Sequence, residues 1–126
     1  MKNAIVTGAS NGIGLEISKK LTENNYYVGM IDIDKENLIK ESKKIHNSIP
    51  IEGDVTNEES IKNALKTFNK TPDLIVNNAG IVIFGNLEEQ SIKDFKKSVD
   101  VSLVGSYLVS RLSIVNWIGV KGFLIS

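Results

Sequence analysis

The sequence predicts an α/β fold with a doubly wound parallel sheet, truncated after about the fifth strand. Short runs of β-branched residues alternate along the chain with longer segments of helical period, which is typical of βαβ units around a buried parallel sheet. A glycine-rich turn joins the first strand to the first helix. Because such crossovers are right-handed, we expect a strand order such as 3-2-1-4-5.

Five strands are predicted, at residues 4–6, 27–31, 51–53, 74–76 and 123–125. The first helix carries an apolar stripe of Ile13, Ile17 and Leu21. A second helix covers about 35–45, with Asp34 as its N-cap. Thr56 and Glu59 have the spacing of a capping box for a third helix that Pro72 ends. The segment from residue 91 to about Trp117 is predicted as a long helix, either continuous or interrupted.

Composition narrows the class of function. The 126 residues, 41% of them hydrophobic, suit one globular domain over 1–126. Fifteen basic residues balance fifteen acidic ones, so no overall field favours nucleic acid as a partner. Without cysteine there is no disulfide, thiolate metal site or cysteine nucleophile. No apolar run approaches the roughly 20 residues that cross a bilayer, and strand-like residues leave no room for a signal peptide, so we expect a cytoplasmic protein without a membrane role.

The glycine turn has the features of a phosphate-binding loop. Gly8 permits a sharp exit from the strand, Gly12 allows backbone amides to approach a pyrophosphate, and Gly14 lets the helix lie close to the sheet. Glycine spacing alone also fits an ordinary turn. Asp32 adds context, since it follows Gly14 by 18 residues at the end of the second strand, where a dinucleotide-binding fold holds the ribose hydroxyls.

Four segments together resemble the short-chain dehydrogenase/reductase family. Thr7-Gly8-x-x-x-Gly12-x-Gly14 is similar to its glycine signature, Gly53-Asp54-Val55 to the strand end that meets the adenine, and Asn77-Asn78-Ala79-Gly80 to its Asn-Asn-Ala-Gly motif. The segment from Val99 to Gly105 resembles part of the family's long helix. The resemblance covers nearly the whole chain and implies a Rossmann fold.

The family likeness implies that a nicotinamide cofactor is held by Gly8, Ser10, Asn11, Gly12, Ile13, Gly14, Asp32, Ile33, Asp54, Val55, Asn78, Ala79, Gly80 and Val101. NAD is the expected form, because a 2′-phosphate would face the carboxylate of Asp32 at a cost of roughly 4 kcal/mol before screening. Asn11 and Ile33 stand where NADP-preferring relatives often carry a base, and the sequence shows no compensating Lys or Arg nearby.

Catalytic residues stay unassigned. The family uses a Tyr with a Lys four residues later, a Ser, and an Asn that supports a water relay. The one Tyr-x-x-x-base spacing is Tyr107 with Arg111, which aligns with an ordinary helix position and is interpreted as structural. Ser126 is a poor candidate for the Ser, and Ser102 holds the position of the Asn. His46, the sole imidazole, is expected to be solvated, as is the Lys43-Lys44 pair, and no metal site is predicted.

Three functions are therefore open. The first is the cofactor-binding part of an NAD-dependent oxidoreductase that transfers hydride to or from a small alcohol or carbonyl substrate. The second is a module that binds NAD without chemistry. The third is an S-adenosylmethionine methyltransferase, which shares the alternating pattern. The long helix carries Phe95, Val99, Leu103, Tyr107 and Leu108 on more than one face, which predicts a buried helix and a homo-oligomer, a dimer or tetramer as in the family.

Overall fold

The computed structural model describes residues 1–80, 91–116 and 123–125 of the chain. Five parallel strands form one sheet in the order β3-β2-β1-β4-β5, as predicted. The strands are β1 Lys2–Thr7, β2 Tyr26–Asp32, β3 Ser48–Glu52, β4 Leu74–Val76 and β5 Phe123–Ile125. Successive strands are added on one side of β1 up to β3 and on its other side from β4 onward, so a switch point lies at the carboxyl ends of β1 and β4, where ligands of such sheets bind.

Helices cover both faces of the sheet. They are α1 Gly12–Glu23, α2 Lys35–Ser42, α3 Glu58–Phe68, α4 Ile92–Val99 and α5 Gly105–Asn116. Alternate side chains of β1 divide the core: Ile5 joins residues of α3 and α5 on one face, whereas Ala4 and Val6 join residues of α1 and α2 on the other. Because the sheet is buried on both faces, the sequences of its strands are continuous apolar runs.

The predicted long helix is interrupted. A π-helical segment, Asp100–Val104, lies between α4 and α5, and Ser91 caps α4 by accepting a hydrogen bond from the amide of Asp94. On α5, Val109 and Leu112 are buried against the core, while Tyr107 is 57% exposed. Leu103 in the π-helical segment is 68% exposed. The helix is thus apolar on two faces, of which one packs on the sheet. Trp117 lies outside the described residues.

Two details of the first helix and the third strand differ from the prediction. Ile13 is 72% exposed, so the apolar side chains of α1 that pack against the core are the partly buried Leu15, Ile17 and Leu21 instead. The third strand begins at Ser48 and includes Pro50. Proline is tolerated there because β3 lies at the edge of the sheet.

The termini of two helices also differ from the prediction. Asn57, not Thr56, caps α3 and accepts from the amide of Ser60 at 2.9 Å, because the hydroxyl of Thr56 is bound to Asp54 instead. The helix ends at Phe68 with Asn69 in the left-handed region, so Pro72 is not what stops it. Helix α2 ends at Ser42, three residues before the predicted end. Its predicted N-cap, Asp34, is confirmed.

Candidate functional site

A cleft of about 960 Å³ lies at the carboxyl ends of the strands, within the range of small-molecule sites. Ten of the fourteen residues that the sequence predicts for the cofactor line this cleft: Gly8, Asn11, Asp32, Ile33, Asp54, Val55, Asn78, Ala79, Gly80 and Val101. They come from the ends of β1, β2, β3 and β4 and from the π-helical segment. The topology thus gathers motifs that are distant in sequence.

The glycine loop has a backbone shape that side chains would disturb. Gly8 and Gly12 have positive φ angles of 65° and 54°, which glycine adopts without strain. Gly14 lies against the carbonyl of Gly8 and the side-chain amide of Asn78, so that a Cβ at this position would collide with both. Helix α1 therefore approaches the sheet as closely as the sequence predicts.

Thr7 and Asn78 fasten this loop to the end of β4. The Thr7 hydroxyl accepts from the amides of Asn78 and Ala79 at 3.1 and 3.0 Å. The Asn78 side chain donates to the carbonyl of Gly8 at 3.2 Å. Thr7 is 1% exposed, so water has little access to these bonds. Thr7 belongs to the glycine signature but was not among the predicted site residues.

Removing the Thr7 hydroxyl should loosen this connection. In Thr7→Val the shape is kept, but the amide of Ala79 loses its acceptor and the amide of Asn78 keeps only the carbonyl of Val76, at 3.2 Å, so we expect the free energy of unfolding to fall by about 1–2 kcal/mol. Urea denaturation measures this change. Thr7→Ser, which keeps the hydroxyl, is the matched control and should lose clearly less; equal losses for both variants would show that packing rather than hydrogen bonding is responsible.

Asp32 ends β2 with its carboxylate fixed by backbone amides. One oxygen accepts from Ser10 at 3.0 Å and the other from Asp34 at 3.0 Å. The side chain of Asn37 in turn donates to the carbonyl of Ser10 at 2.6 Å. Each carboxylate oxygen has a second lone pair, and the residue is partly open to the cleft. The carboxylate can therefore still accept hydroxyl donors from a ligand.

Asp54 is oriented in a similar way after β3. Its Oδ1 atom accepts from the amide and hydroxyl of Thr56 at 2.9 and 2.6 Å, and its own amide donates to the hydroxyl of Ser60 at 2.9 Å. Gly53 has Ile31 Cγ2 2.9 Å from the place of a Cβ, so the turn lies tight on the sheet. Thr56 and Ser60 were not among the predicted site residues.

The other four predicted residues, Ser10, Gly12, Ile13 and Gly14, do not line the cleft. Ser10 is buried at 1% exposure and braces Asp32 through its amide. Gly12, Ile13 and Gly14 form the first turn of α1, where backbone N–H groups lack partners within the helix. Within the described part of the chain, the N-cap residue Asn11 makes no side-chain hydrogen bond that would occupy those donors.

Three lysines of α4, which were not among the predicted site residues, line the cleft. Lys93, Lys96 and Lys97 line it together with Ile92 and Asp100. Because these lysines are distant in sequence from the glycine loop and from Asp32, those two motifs did not indicate them. Their i, i+3, i+4 spacing on one helix face was nevertheless a visible signal.

The residues considered for catalysis are not brought together. The Arg111 side chain donates to the Tyr107 hydroxyl at 3.0 Å on the exposed face of α5, and neither residue lines the cleft, consistent with a structural pair. His46 is exposed, as predicted. Ser102 belongs to the π-helical segment, and Ser126 lies outside the described residues.

In the described ranges, no helix is both long enough and apolar enough to cross a membrane.

The fold and the cleft define a dinucleotide-binding α/β protein. Residues 2–125 match the family model of the short chain dehydrogenases. The chain therefore belongs to the short chain dehydrogenase family, which confirms the resemblance seen in its motifs. Membership favours an oxidoreductase over the methyltransferase.

Relatives of known name agree with this assignment. An uncharacterized oxidoreductase of Thermotoga maritima is 36% identical over 90% of this chain and 47% of its own length. An NAD-dependent glycerol dehydrogenase of Listeria innocua is 28% identical over 88% of this chain and 45% of its own. A probable NADP-dependent dehydrogenase of Haemophilus influenzae is 31% identical over 91% of this chain and 48% of its own length.

A solved structure shares the fold. The 3-ketoacyl-(acyl-carrier-protein) reductase of Brucella melitensis, determined with NADH, superposes with a TM-score of 0.81 at 28% identity, over 91% of this chain and 49% of that one. The chain thus spans about half the length of the relatives it matches. The family binds a nicotinamide cofactor, and its named members here include both NAD-dependent and NADP-dependent enzymes.

Proposed function

We propose that the chain is the cofactor-binding part of an NAD-dependent oxidoreductase that acts on a small alcohol or carbonyl compound. The observation that carries this proposal is Asp32, a carboxylate fixed by two backbone amides in the same cleft as the glycine loop. This carboxylate suits the two hydroxyls of an adenosine ribose. The cytoplasmic location stays a prediction.

The residues of the site fit the parts of a dinucleotide. The amides of the first turn of α1 suit a pyrophosphate, because they carry the partial positive charge of the helix N-terminus. Asp54 and Val55 suit the adenine, and Asn78 to Gly80 border the continuation of the cleft past β4. When bound, the nicotinamide supplies the hydride acceptor or donor, while these residues hold and orient it.

A non-catalytic NAD-binding module is the second candidate. It is favoured by Ser102, which stands at the position of the family's Asn. Hydride transfer separates the two candidates. Reduction of NAD by any of a panel of primary and secondary alcohols, followed by the absorbance of NADH, supports the enzyme, whereas saturable NAD binding without turnover in a form extended past Ser126 supports the module.

Calorimetric titration of the 126-residue chain tests the cofactor directly. We expect saturable binding of NAD with one site per chain, weaker binding of NADP, and no competition from S-adenosylmethionine. Tighter binding of S-adenosylmethionine than of NAD would contradict the proposed function. An NADP affinity above that of NAD would contradict the role of Asp32 while leaving the family assignment in place.

The proposed oligomer uses the exposed apolar face of α4, the π-helical segment and α5. Ile92, Leu103, Val104 and Tyr107 are all at least 39% exposed there, and association would remove them from water. In Leu103→Lys a charge would be placed at this face, so we expect the sedimentation mass at micromolar concentration to shift toward the monomer. Thr67→Lys on α3, also exposed, should leave the mass unchanged; a monomeric wild-type chain would refute the oligomer.

A further inference from the structure

Asn11 and Gly12 form the sole Asn-Gly dipeptide of the 126 residues. In such a pair the backbone nitrogen of the glycine can attack the side-chain amide carbon of the asparagine, because glycine has no Cβ that would obstruct the five-membered ring. The glycine loop places this pair at the cleft, which Asn11 lines. The chemistry of the dipeptide therefore bears on the part of the chain that is proposed to hold a ligand.

The side chain of Asn11 is available for this reaction. Asn11 is exposed, and its backbone is extended rather than helical, with φ and ψ angles of -158° and 177°. Although it occupies the N-cap position of α1, its side chain makes no capping hydrogen bond in the described part of the chain, whereas Asp34 and Asn57 cap their helices through their side chains. Rotation about the Cα–C bond of Asn11 can therefore bring its carboxamide to the next nitrogen.

Gly12 presents the attacking nitrogen. It is the first residue of α1, so its N–H group has no acceptor within the helix. Among the described residues, no atom lies within 4 Å of the place of a Cβ on Gly12, which leaves room for the peptide group to rotate. The partial positive charge of the helix N-terminus also favours loss of the amide proton, because it stabilises the resulting anion.

The other asparagines of the chain are not followed by glycine. Asn25, Asn47 and Asn69 are exposed and have positive φ angles, but the side chains of a tyrosine, a serine and a lysine come next and obstruct ring closure. Further asparagine side chains are engaged in hydrogen bonds: Asn24, Asn37, Asn57, Asn77 and Asn78. The combination of an unengaged carboxamide and an unobstructed nitrogen thus singles out Asn11.

We propose that Asn11 is a site of spontaneous deamidation, and that its conversion weakens the binding of a dinucleotide. The nitrogen of Gly12 forms a bond to Cγ of Asn11, and the carboxamide nitrogen leaves as ammonia with the amide proton of Gly12. Water then opens the cyclic imide at either carbonyl, which gives aspartate or isoaspartate. The reaction consumes water, releases ammonia and involves no oxidation or reduction.

The product carries a carboxylate at the first turn of α1, where the proposed function places the pyrophosphate. Like charges there oppose binding, although an aspartate N-cap suits the free helix. Isoaspartate also lengthens the backbone and so disturbs the loop. A bound dinucleotide protects Asn11, because the amide of Gly12 then donates to a phosphate. The effect on binding rests on the proposed function, whereas the reaction itself does not.

Incubation of the purified chain at mildly alkaline pH, followed by peptide mass mapping with fragmentation, tests the site. We expect Asn11 to gain the mass difference between water and ammonia, and an isoaspartate-specific methyltransferase to label the same peptide. Asn25, Asn47 and Asn69 should change at least about tenfold more slowly. Asn11→Ser keeps a polar N-cap without a carboxamide, so its NAD affinity should not decline during the incubation that weakens the wild type.

Calorimetry of Asn11→Asp, which reproduces one product, measures the consequence. This variant should bind NAD at least about tenfold more weakly than the wild type, with no loss in the free energy of unfolding. Saturating NAD should slow the change at Asn11 at least about fivefold and leave Asn69 unaffected.

An unmodified Asn11 in the free chain, equal rates at Asn11 and the three comparison sites, or wild-type NAD affinity in Asn11→Asp would each overturn the proposal, as would full occupancy by NAD without protection. A wild type that binds no NAD, yet deamidates at Asn11, would instead refute the proposed function.

Discussion

Replacing Asp32 by Asn is expected to weaken NAD binding by at least about tenfold. The substitution keeps the size of the side chain but removes its charge and one acceptor, and hydrogen bonds to a charged group are worth about 1.5–3 kcal/mol each. A loss of only about 1.4 kcal/mol already amounts to a factor of ten in the dissociation constant. Calorimetry with NAD measures the effect, and NADP affinity should rise in the same variant because the like charge is gone.

The Asp32 variant needs a control for stability as well as for charge. Asp32 also accepts hydrogen bonds from the amides of Ser10 and Asp34, so the free energy of unfolding of the Asp32→Asn chain should fall by about 1–2 kcal/mol. Glu52→Gln removes a carboxylate from the neighbouring strand end, at an exposed position outside the cleft lining, and should leave both stability and NAD affinity nearly unchanged. Unchanged NAD affinity in a folded Asp32→Asn chain would contradict the ribose role.

Gly14→Ala is expected to cause the largest loss of stability. Alanine normally stabilises a helix interior by about 1 kcal/mol relative to glycine, but here the added methyl group would meet the carbonyl of Gly8 and the side chain of Asn78. Backbone atoms cannot move aside as a flexible side chain can, so overpacking should cost about 3 kcal/mol or more. Urea denaturation measures the loss, and NAD binding should disappear with the displaced loop.

Gly12→Ala provides the comparison. Within the described residues, nothing lies within 4 Å of a Cβ at this position, although its φ is 54°. The Gly12→Ala substitution should therefore lower the free energy of unfolding only by the strain of the left-handed backbone, about 1–2 kcal/mol. If Gly14→Ala were no more destabilising than Gly12→Ala, the close approach of α1 to the glycine loop would not be the reason for Gly14.

The features predicted correctly from sequence depend on local pattern or on topology. The alternation of strands and helices sufficed for the sheet order, since handed crossovers leave few alternatives. Once the strand order is known, the carboxyl ends of β1, β2 and β4 are neighbours, so Gly8, Asp32 and Asn78 must lie at the same end of the sheet. The N-cap at Asp34 followed from its position directly before the helix.

The features that were missed depend on tertiary contacts. Thr56 appeared to be a helix cap, but Asp54 engages its hydroxyl, which leaves the cap to Asn57. Ile13 fits the helical stripe by spacing, yet it is exposed, whereas the neighbouring Gly14 packs against Gly8 and Asn78. The lysines of α4 were missed because the sequence does not show that this helix borders the cleft, which depends on how it packs in the fold.

Mapping the NAD contact by NMR of the 126-residue chain tests the central claim most directly. On titration with NAD, the largest shifts of backbone amides are expected in the first turn of α1, at Asp32 and Ile33, and at Asp54 and Val55. Amides on the outer faces of α2 and α3 should not move. Saturable shifts confined to residues away from the cleft, or no shifts at millimolar NAD, would contradict the claim that this cleft is a dinucleotide site.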